Sequence, residues 1–142
     1  MWRFNACVGH NGWNGDFSYV DGYDESVRAM GEHIFKSGQA TIDTIVYPYM
    51  FLVRHCVEIF LKRYLKSFGR IKGNTVIDDK LLKSSHDISS LWIMFERAFT
   101  RFDERTTEGV DKLKAFVNFI ADIDPNGQTF RYAYNIENKL HL

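Results

Sequence analysis

The sequence predicts a mainly α-helical protein, an antiparallel bundle of four main helices with a small C-terminal β-hairpin-like appendage. Apolar residues recur at helical spacing in four separate stretches of a 142-residue chain, which is long enough for one domain with a real core. Aromatic residues make up 15% of the chain, which favours a packed domain over a disordered one. The run Asp124-Pro125-Asn126-Gly127 is a strong stop and turn, after which the period changes from helical to extended.

The first half of the chain predicts an irregular arm followed by two helices. The arm covers residues 1–20, which are rich in Gly, Asn and aromatic side chains and lack helical periodicity. A first helix is expected from about Tyr23 to Ser37, because an apolar stripe crosses this segment and Gly38 supplies a stop. The second helix, which is strongly apolar, begins between Thr41 and Pro48 and ends before Gly69.

The second half predicts a loop, two more helices and the appendage, all within a single domain that spans the chain. Residues 69–83 form a basic loop, and residues 84–87 have the spacing of a capping box for the third helix. A fourth helix is expected from about Thr107 to Ile123. Residues 129–136 look extended, and residues 139–142 begin a second extended piece. This pattern indicates either a short terminal ribbon or a chain cut from something longer.

Composition and charge narrow the class of protein. The net formal charge is zero, so no global field favours a nucleic-acid partner, although residues 62–83 hold seven basic and two acidic side chains. The two cysteines, Cys7 and Cys56, do not make a disulfide framework. No uninterrupted apolar run is long enough for a membrane span, and the amino terminus lacks a signal-peptide layout. We therefore expect a soluble, cytoplasmic protein with no membrane partner.

A polar cluster lies within the apolar second helix. Four of its side chains share an arc of about 100°: Arg54, His55, Glu58 and Lys62. Arg54 and Glu58 are four residues apart and can form an ion pair. Because buried charges have to be paired or placed in a cleft, the cluster is either a structural network or a functional site. In a site, His55 would move protons, Glu58 would orient it and Arg54 would hold a phosphate.

Two further motifs supply candidate site residues. Phe130-Arg131-Tyr132 could bind a phosphate and stack a base, or Arg131 could reach back to Glu58 while the aromatic rings cap the bundle. His86, at the start of the third helix, could add a second imidazole or lie on the surface. Neither a metal nor a cofactor is expected, because the chain has no phosphate-binding glycine loop, no zinc-type spacing and too few facing carboxylates for a di-iron bundle.

Three of these features together resemble HEPN-like proteins over roughly residues 20–135. They are Arg54-His55-x-x-Glu58-x-x-x-Lys62 in an apolar helix, His86 opening an amphipathic helix, and the segment from Asp124 to Tyr132 with its Phe-Arg-Tyr. HEPN-like proteins are small helical bundles of bacteria and archaea, found in toxin–antitoxin, abortive-infection and other anti-phage systems. The resemblance implies a dimeric bundle and, in many members, a metal-independent endoribonuclease with its site at the dimer interface.

One family feature is placed differently in this chain. Active HEPN ribonucleases carry Arg-x(4–6)-His near the start of the last long helix, and no such motif follows residue 33 here. Arg28 and His33 satisfy the spacing, but on the first helix. The family also contains members without activity that bind RNA, nucleotides or partner proteins.

Three functions follow as hypotheses. The first is RNA binding or cleavage in prokaryotic or phage-related defence, by a homodimer or with a partner protein. Its expected catalytic residues are His55, Arg54, Glu58 and Arg131, and its expected substrate-binding residues are Tyr132, His86 and Lys62. Cleavage would proceed by attack of the ribose 2′-hydroxyl, with His55 as acid or base and an arginine stabilising the phosphorane. The alternatives are a non-catalytic interaction or dimerisation module and a nucleotide sensor, each with a structural Arg-His-Glu network. The sequence does not decide whether the protein is an enzyme.

Overall fold

The computed structural model describes residues 15–72, 80, 82, 85–100 and 107–141. Four helices account for most of these residues: α1 (Gly15–Lys36), α2 (Gln39–Lys72), α3 (Ile88–Thr100) and α4 (Thr107–Ile123). The prediction of a mainly helical protein is confirmed, and α4 has the predicted bounds. Residues 1–14 of the predicted arm and most of the predicted basic loop lie outside the described residues.

α1 and α2 form an antiparallel hairpin across the short connection at Ser37 and Gly38. Three contacts join the two helices at successive levels: Phe17 with Arg63, Tyr23 with His55, and Gly31 with Tyr49. The residue numbers rise along α1 as they fall along α2, which defines opposite directions. Gly31 allows Tyr49 to pack closely against α1, because a Cβ atom at this position would lie 3.1 Å from the Tyr49 hydroxyl.

Both helices are longer than predicted. α1 starts at Gly15, so the prediction of an irregular arm is wrong for residues 15–20, where Phe17 packs under the Arg63 guanidinium. α2 continues through Gly69 to Lys72, so the prediction that it ends before this glycine is also wrong. A single glycine costs a helix only about 1 kcal/mol, and that cost is offset where the flanking apolar residues continue to pack.

α2 and α3 run in the same direction, whereas α3 and α4 are antiparallel. The contacts between α2 and the α3 region ascend together: Arg54 with His86, Phe60 with Phe95, and Phe68 with Phe99. Those between the α3 and α4 regions run oppositely: Ile88 with Pro125, and Glu96 with Lys114. The predicted antiparallel arrangement therefore holds for α1 with α2 and for α3 with α4, but not for α2 with α3.

The core lies between α2, α3 and α4 and centres on Phe95. Its ring lies within 6.5 Å of five other rings: Phe60, Tyr64, Phe68, Trp92 and Phe99. Fully buried aliphatic side chains from all three helices surround this group: Leu61, Leu65, Ile88, Leu91, Val117 and Ile120. This packing fixes α3 and α4 against the half of α2 that carries the polar cluster.

Asp87 begins α3 as its N-cap, since one of its carboxylate oxygens accepts the Ser89 amide at 3.0 Å. The predicted capping box also involves Ser84, which lies outside the described residues. His86 therefore precedes the cap and does not lie in the first helical turn, where the sequence places it.

The predicted β-hairpin is not confirmed. Residues 129–131 form a turn, and residues 107–141 contain no strand, with a single antiparallel bridge between Tyr134 and Leu140. Asp124 explains the difference, because its Oδ1 accepts the amides of Gln128 at 2.8 Å and Thr129 at 3.0 Å. The Gln128 carbonyl in turn accepts two later amides. Local acceptors of this kind compete with a strand ladder for the backbone donors.

One described helix, the Gln39–Arg70 part of α2, is long and apolar enough to cross a membrane by length and composition. Core helices of soluble proteins can have the same length and composition, so this property alone does not distinguish a membrane helix from a core helix. Its charged side chains Arg54 and Glu58 are buried and paired with each other. The cytoplasmic location and the absence of a membrane partner stay predictions.

Candidate functional site

A cleft of about 320 Å³ opens where α2, the segment before α3 and the turn after α4 meet. Five of the seven predicted site residues line it: Arg54, His55, Glu58, His86 and Arg131. We call this cavity the histidine cleft. The residues come from three separate parts of the chain, so their convergence results from the packing of α2 against α3 and α4.

Arg54 ties these three parts together from beneath the cleft. Its Nη1 donates to Glu58, and its Nη2 donates to the carbonyls of His86 and, at 3.0 Å, Pro125. Its Nε donates to the Asp124 carbonyl at 3.3 Å. The residue is 1% exposed, so every guanidinium nitrogen is occupied by protein and shielded from solvent. This geometry favours a structural role for Arg54 over the predicted contact with a phosphate.

Glu58 is the buried anion of the network. Its Oε2 accepts from Arg54, while its Oε1 accepts from Lys62 at 2.8 Å and lies 3.0 Å from Nδ1 of His86. Burial raises the pKa of Glu58, but hydrogen bonds and positive charge from Lys62 and Arg54 outweigh it and hold the pKa below its ordinary value. The ionised carboxylate orients His86, whereas the sequence predicts that it orients His55.

The two imidazoles of the cleft have different surroundings. His55 is half-buried beside Tyr23, at 4.7 Å between ring centroids, and Phe51, at 6.0 Å with nearly parallel planes. Burial lowers the pKa of His55, and the positive charges of Arg54 and Lys62 act in the same direction, against the opposing effect of Glu58. The neutral ring can therefore accept a proton near neutral pH. The His86 side chain is 66% exposed, so its Nε2 can reach a ligand while Nδ1 is held.

Arg131 is the exposed guanidinium of the histidine cleft. Its Cζ lies 5.3 Å from the centroid of the Tyr132 ring, in a cation–π contact. It also lines a neighbouring cavity of about 280 Å³ together with Tyr132. Two predicted residues do not line the cleft. Tyr132 lines the second cavity, and Lys62 donates to Glu58 while lining a separate cavity with Tyr19 and Arg63.

Asp124 and Gly127 belong to the site and are missing from the predicted set. Asp124 is fully buried, holds the turn by two amides and lies with its Oδ2 4.0 Å from Nε of Arg54. Gly127 has φ of +79°, and a Cβ atom there would lie 3.4 Å from Cζ of Arg54. The Asp-Pro-Asn-Gly run is a recognisable turn signal, but it does not show that the turn closes over an arginine 70 residues earlier.

The alternative motif on the first helix lies elsewhere. Arg28 is exposed on α1 and pairs with Asp24 at 2.8 Å, and His33 is also exposed. Neither lines the histidine cleft. Within the described residues, no group of three His, Cys, Asp or Glu side chains is arranged to hold a metal ion.

Comparisons of this chain with protein families, with curated proteins and with solved structures find no match.

Proposed function

We propose that this protein binds RNA in the histidine cleft and cleaves it without a metal ion, as a cytoplasmic HEPN-like homodimer in a prokaryotic or phage-related defence system. The observation that supports the proposal is the convergence of three groups in one cleft. These groups are an imidazole kept neutral by burial, a second imidazole oriented by an ionised carboxylate, and an exposed guanidinium. Proton acceptor, proton donor and anion-binding group are the parts that phosphodiester transfer requires.

In the proposed reaction, the ribose 2′-oxygen attacks the adjacent phosphorus while His55 accepts the hydroxyl proton. The bond from phosphorus to the 5′-oxygen breaks, and a protonated His86 gives its Nε2 proton to that leaving oxygen. Arg131 offsets the charge of the phosphorane. The products are a 2′,3′-cyclic phosphate and a 5′-hydroxyl, and no metal takes part. Arg54 and Glu58 position His86 without touching the RNA.

The test is incubation of the protein with mixed RNA in the presence of EDTA, with analysis of the product ends. Wild type is expected to leave 2′,3′-cyclic phosphates. His55→Ala and His86→Ala are each expected to lose activity by about 100-fold or more, the usual contribution of a general acid or base. His33→Ala is the matched control, because this histidine is exposed on α1 and lies outside the cleft.

Two outcomes would reject the catalytic proposal as stated. If folded wild type leaves RNA intact, the protein is not this kind of ribonuclease. If His33→Ala or Arg28→Ala abolishes cleavage while His55→Ala does not, the activity belongs to the first helix.

A second candidate function is a binding module that holds RNA, a nucleotide or a partner protein without turnover. The burial of Arg54 and Glu58 supports it, because buried and mutually paired groups are suited to a structural role. In this case wild type would bind a labelled RNA or nucleotide, Arg131→Ala would weaken binding, and no cleavage product would form. Light scattering of the same samples would test the proposed homodimer.

A further inference from the structure

A second cavity adjoins the histidine cleft and has aromatic walls. It measures about 280 Å³ and lies between the first third of α2, the turn after α4 and the last described residues. Its ring-bearing lining residues are Tyr47, Phe130, Tyr132 and His141. Tyr47 and Tyr132 are each 49% exposed, so the rings are partly held by protein and partly open to a ligand. We call this space the aromatic cavity.

Arg131 lies between the two cavities. It lines both of them, and its guanidinium is placed against the Tyr132 ring at 5.3 Å. None of the described residues that line the aromatic cavity carries a carboxylate, so Arg131 supplies a positive charge without a competing acid among them. A ligand with one flat ring and a neighbouring anion therefore matches the cavity and its entrance.

We propose that the aromatic cavity takes one unpaired nucleobase of a single-stranded RNA, and that the scissile phosphate next to that base is bound by Arg131 at the entrance to the histidine cleft. This inference rests on the proposed RNA binding and specifies its substrate class. Base, phosphate and neighbouring nucleotide follow one another along an RNA strand in the same order as aromatic cavity, Arg131 and histidine cleft. A base in a duplex is paired and stacked, so a strand with free bases is the substrate that fits.

The tyrosines are the recognition elements in this arrangement. Stacking on an aromatic side chain depends on the flat face that every base presents, so the cavity selects for an unpaired base more than for a particular base. Tyr132 also holds the Arg131 guanidinium, which links stacking of the base to binding of the phosphate.

Binding is measured by fluorescence anisotropy with a short single-stranded RNA whose 2′-hydroxyls are methylated to prevent cleavage. Tyr47→Ala and Tyr132→Ala are each expected to weaken binding by at least about fivefold, the lower end of what loss of one base stack produces. Tyr134→Ala is the matched control, because this tyrosine is 56% exposed close by in the chain but does not line the cavity. A duplex of the same sequence is expected to bind more weakly than the single strand.

A second readout uses wild type alone and does not depend on whether a variant folds. A 2-aminopurine as the single base of an otherwise abasic, methylated RNA is expected to lose fluorescence on binding, because it enters the cavity and stacks. Replacing this base with a further abasic site should weaken binding.

The outcomes separate this inference from the function on which it rests. If wild type binds RNA and Arg131→Ala weakens binding, but the tyrosine variants, the abasic site and the duplex behave like their controls, the aromatic cavity is not a base site and RNA binding stands. If wild type binds no RNA of any kind, the proposed function and this inference both fall.

Discussion

The two arginines of the histidine cleft have the same chemistry and opposite surroundings. Arg54 is 1% exposed, and its nitrogens donate hydrogen bonds to one carboxylate and three backbone carbonyls. Arg131 is exposed, and its guanidinium lies against a tyrosine ring that does not use its hydrogen-bond donors. The difference shows that residue type alone does not determine the role of an arginine. Its burial, and the number of its hydrogen-bond donors that the protein leaves unpaired, determine whether it can bind a ligand. Arg54 builds the cleft, and Arg131 is available to a ligand.

The buried half of the cleft positions the exposed half. His86 is held twice, by Arg54 at its carbonyl and by Glu58 at its ring. The turn that carries Arg131 is also held by Arg54, through the carbonyls of Asp124 and Pro125. One guanidinium therefore ties the segment that carries His86 to the turn region that leads to Arg131.

The largest expected effect comes from making the same change at both arginines. Arg54→Met removes the donor to Oε2 of the buried Glu58 and to three backbone carbonyls, and breaks a buried ion pair. We expect a loss of about 3–5 kcal/mol in the free energy of unfolding. Arg131→Met removes an exposed guanidinium, and we expect a change within about 0.5 kcal/mol. Urea denaturation followed by far-ultraviolet circular dichroism measures both values.

In the proposed function, the effects of the two arginine substitutions on RNA binding are expected in the opposite order, when binding is measured on the folded fraction of each variant. Arg131→Met should weaken it, while Lys112→Met, a change to an exposed cation on α4 outside the cleft, should not. Equal stabilities for the two arginine variants would contradict the division of the cleft into a structural and an available half.

How far the sequence predicts this site depends on the separation of the residues involved. The four helices and the Arg54–Glu58 ion pair follow from patterns within a few residues, and the structure confirms them. The contact between Glu58 and His86 spans 28 residues, and Arg54 reaches a carbonyl 71 residues away. These contacts depend on how α3 and α4 pack against α2, and no local sequence pattern specifies that packing.

The incorrect prediction at the C-terminus has a similar cause. The alternation of residues 129–136 is typical of a strand, but it does not reveal that the buried carboxylate of Asp124 takes up the amides of the turn. From the sequence, the Asp-Pro-Asn-Gly run predicts a helix stop and a turn. In the structure, this run also packs against Arg54 and accepts hydrogen bonds from it. Because that contact is distant in sequence, the segment alone does not identify Asp124 and Gly127 as site residues.

A smaller effect is expected from glycine substitutions that compare this turn with a helix face. Gly127→Ala places a side chain at φ of +79° and within 3.4 Å of the Arg54 guanidinium, so we expect a loss of about 1–2 kcal/mol. Gly22→Ala in α1 meets nothing within 4 Å and is expected to stabilise the protein by about 0.5–1 kcal/mol, because alanine favours the helix. Thermal unfolding of the two variants gives the signs directly. A neutral result at Gly127 would show that the turn is not pressed against Arg54.

The smallest expected effect is a dependence of stability on pH that separates His55 from Glu58. The folded protein lowers the pKa of His55, so its contribution to stability is complete above the ordinary value of 6.5 and is lost as the pH falls below it. The pKa of Glu58 is also lowered, so its contribution is lost only as the pH falls below the ordinary value of 4.5. Urea denaturation from pH 8 to pH 4 should show the first decline in wild type and a flatter curve in His55→Gln, with His33→Gln as the control. An unchanged decline in His55→Gln would mean that this imidazole is as easily protonated in the folded protein as in the unfolded chain, and His55 would then lose its assignment as the neutral proton acceptor of the cleft.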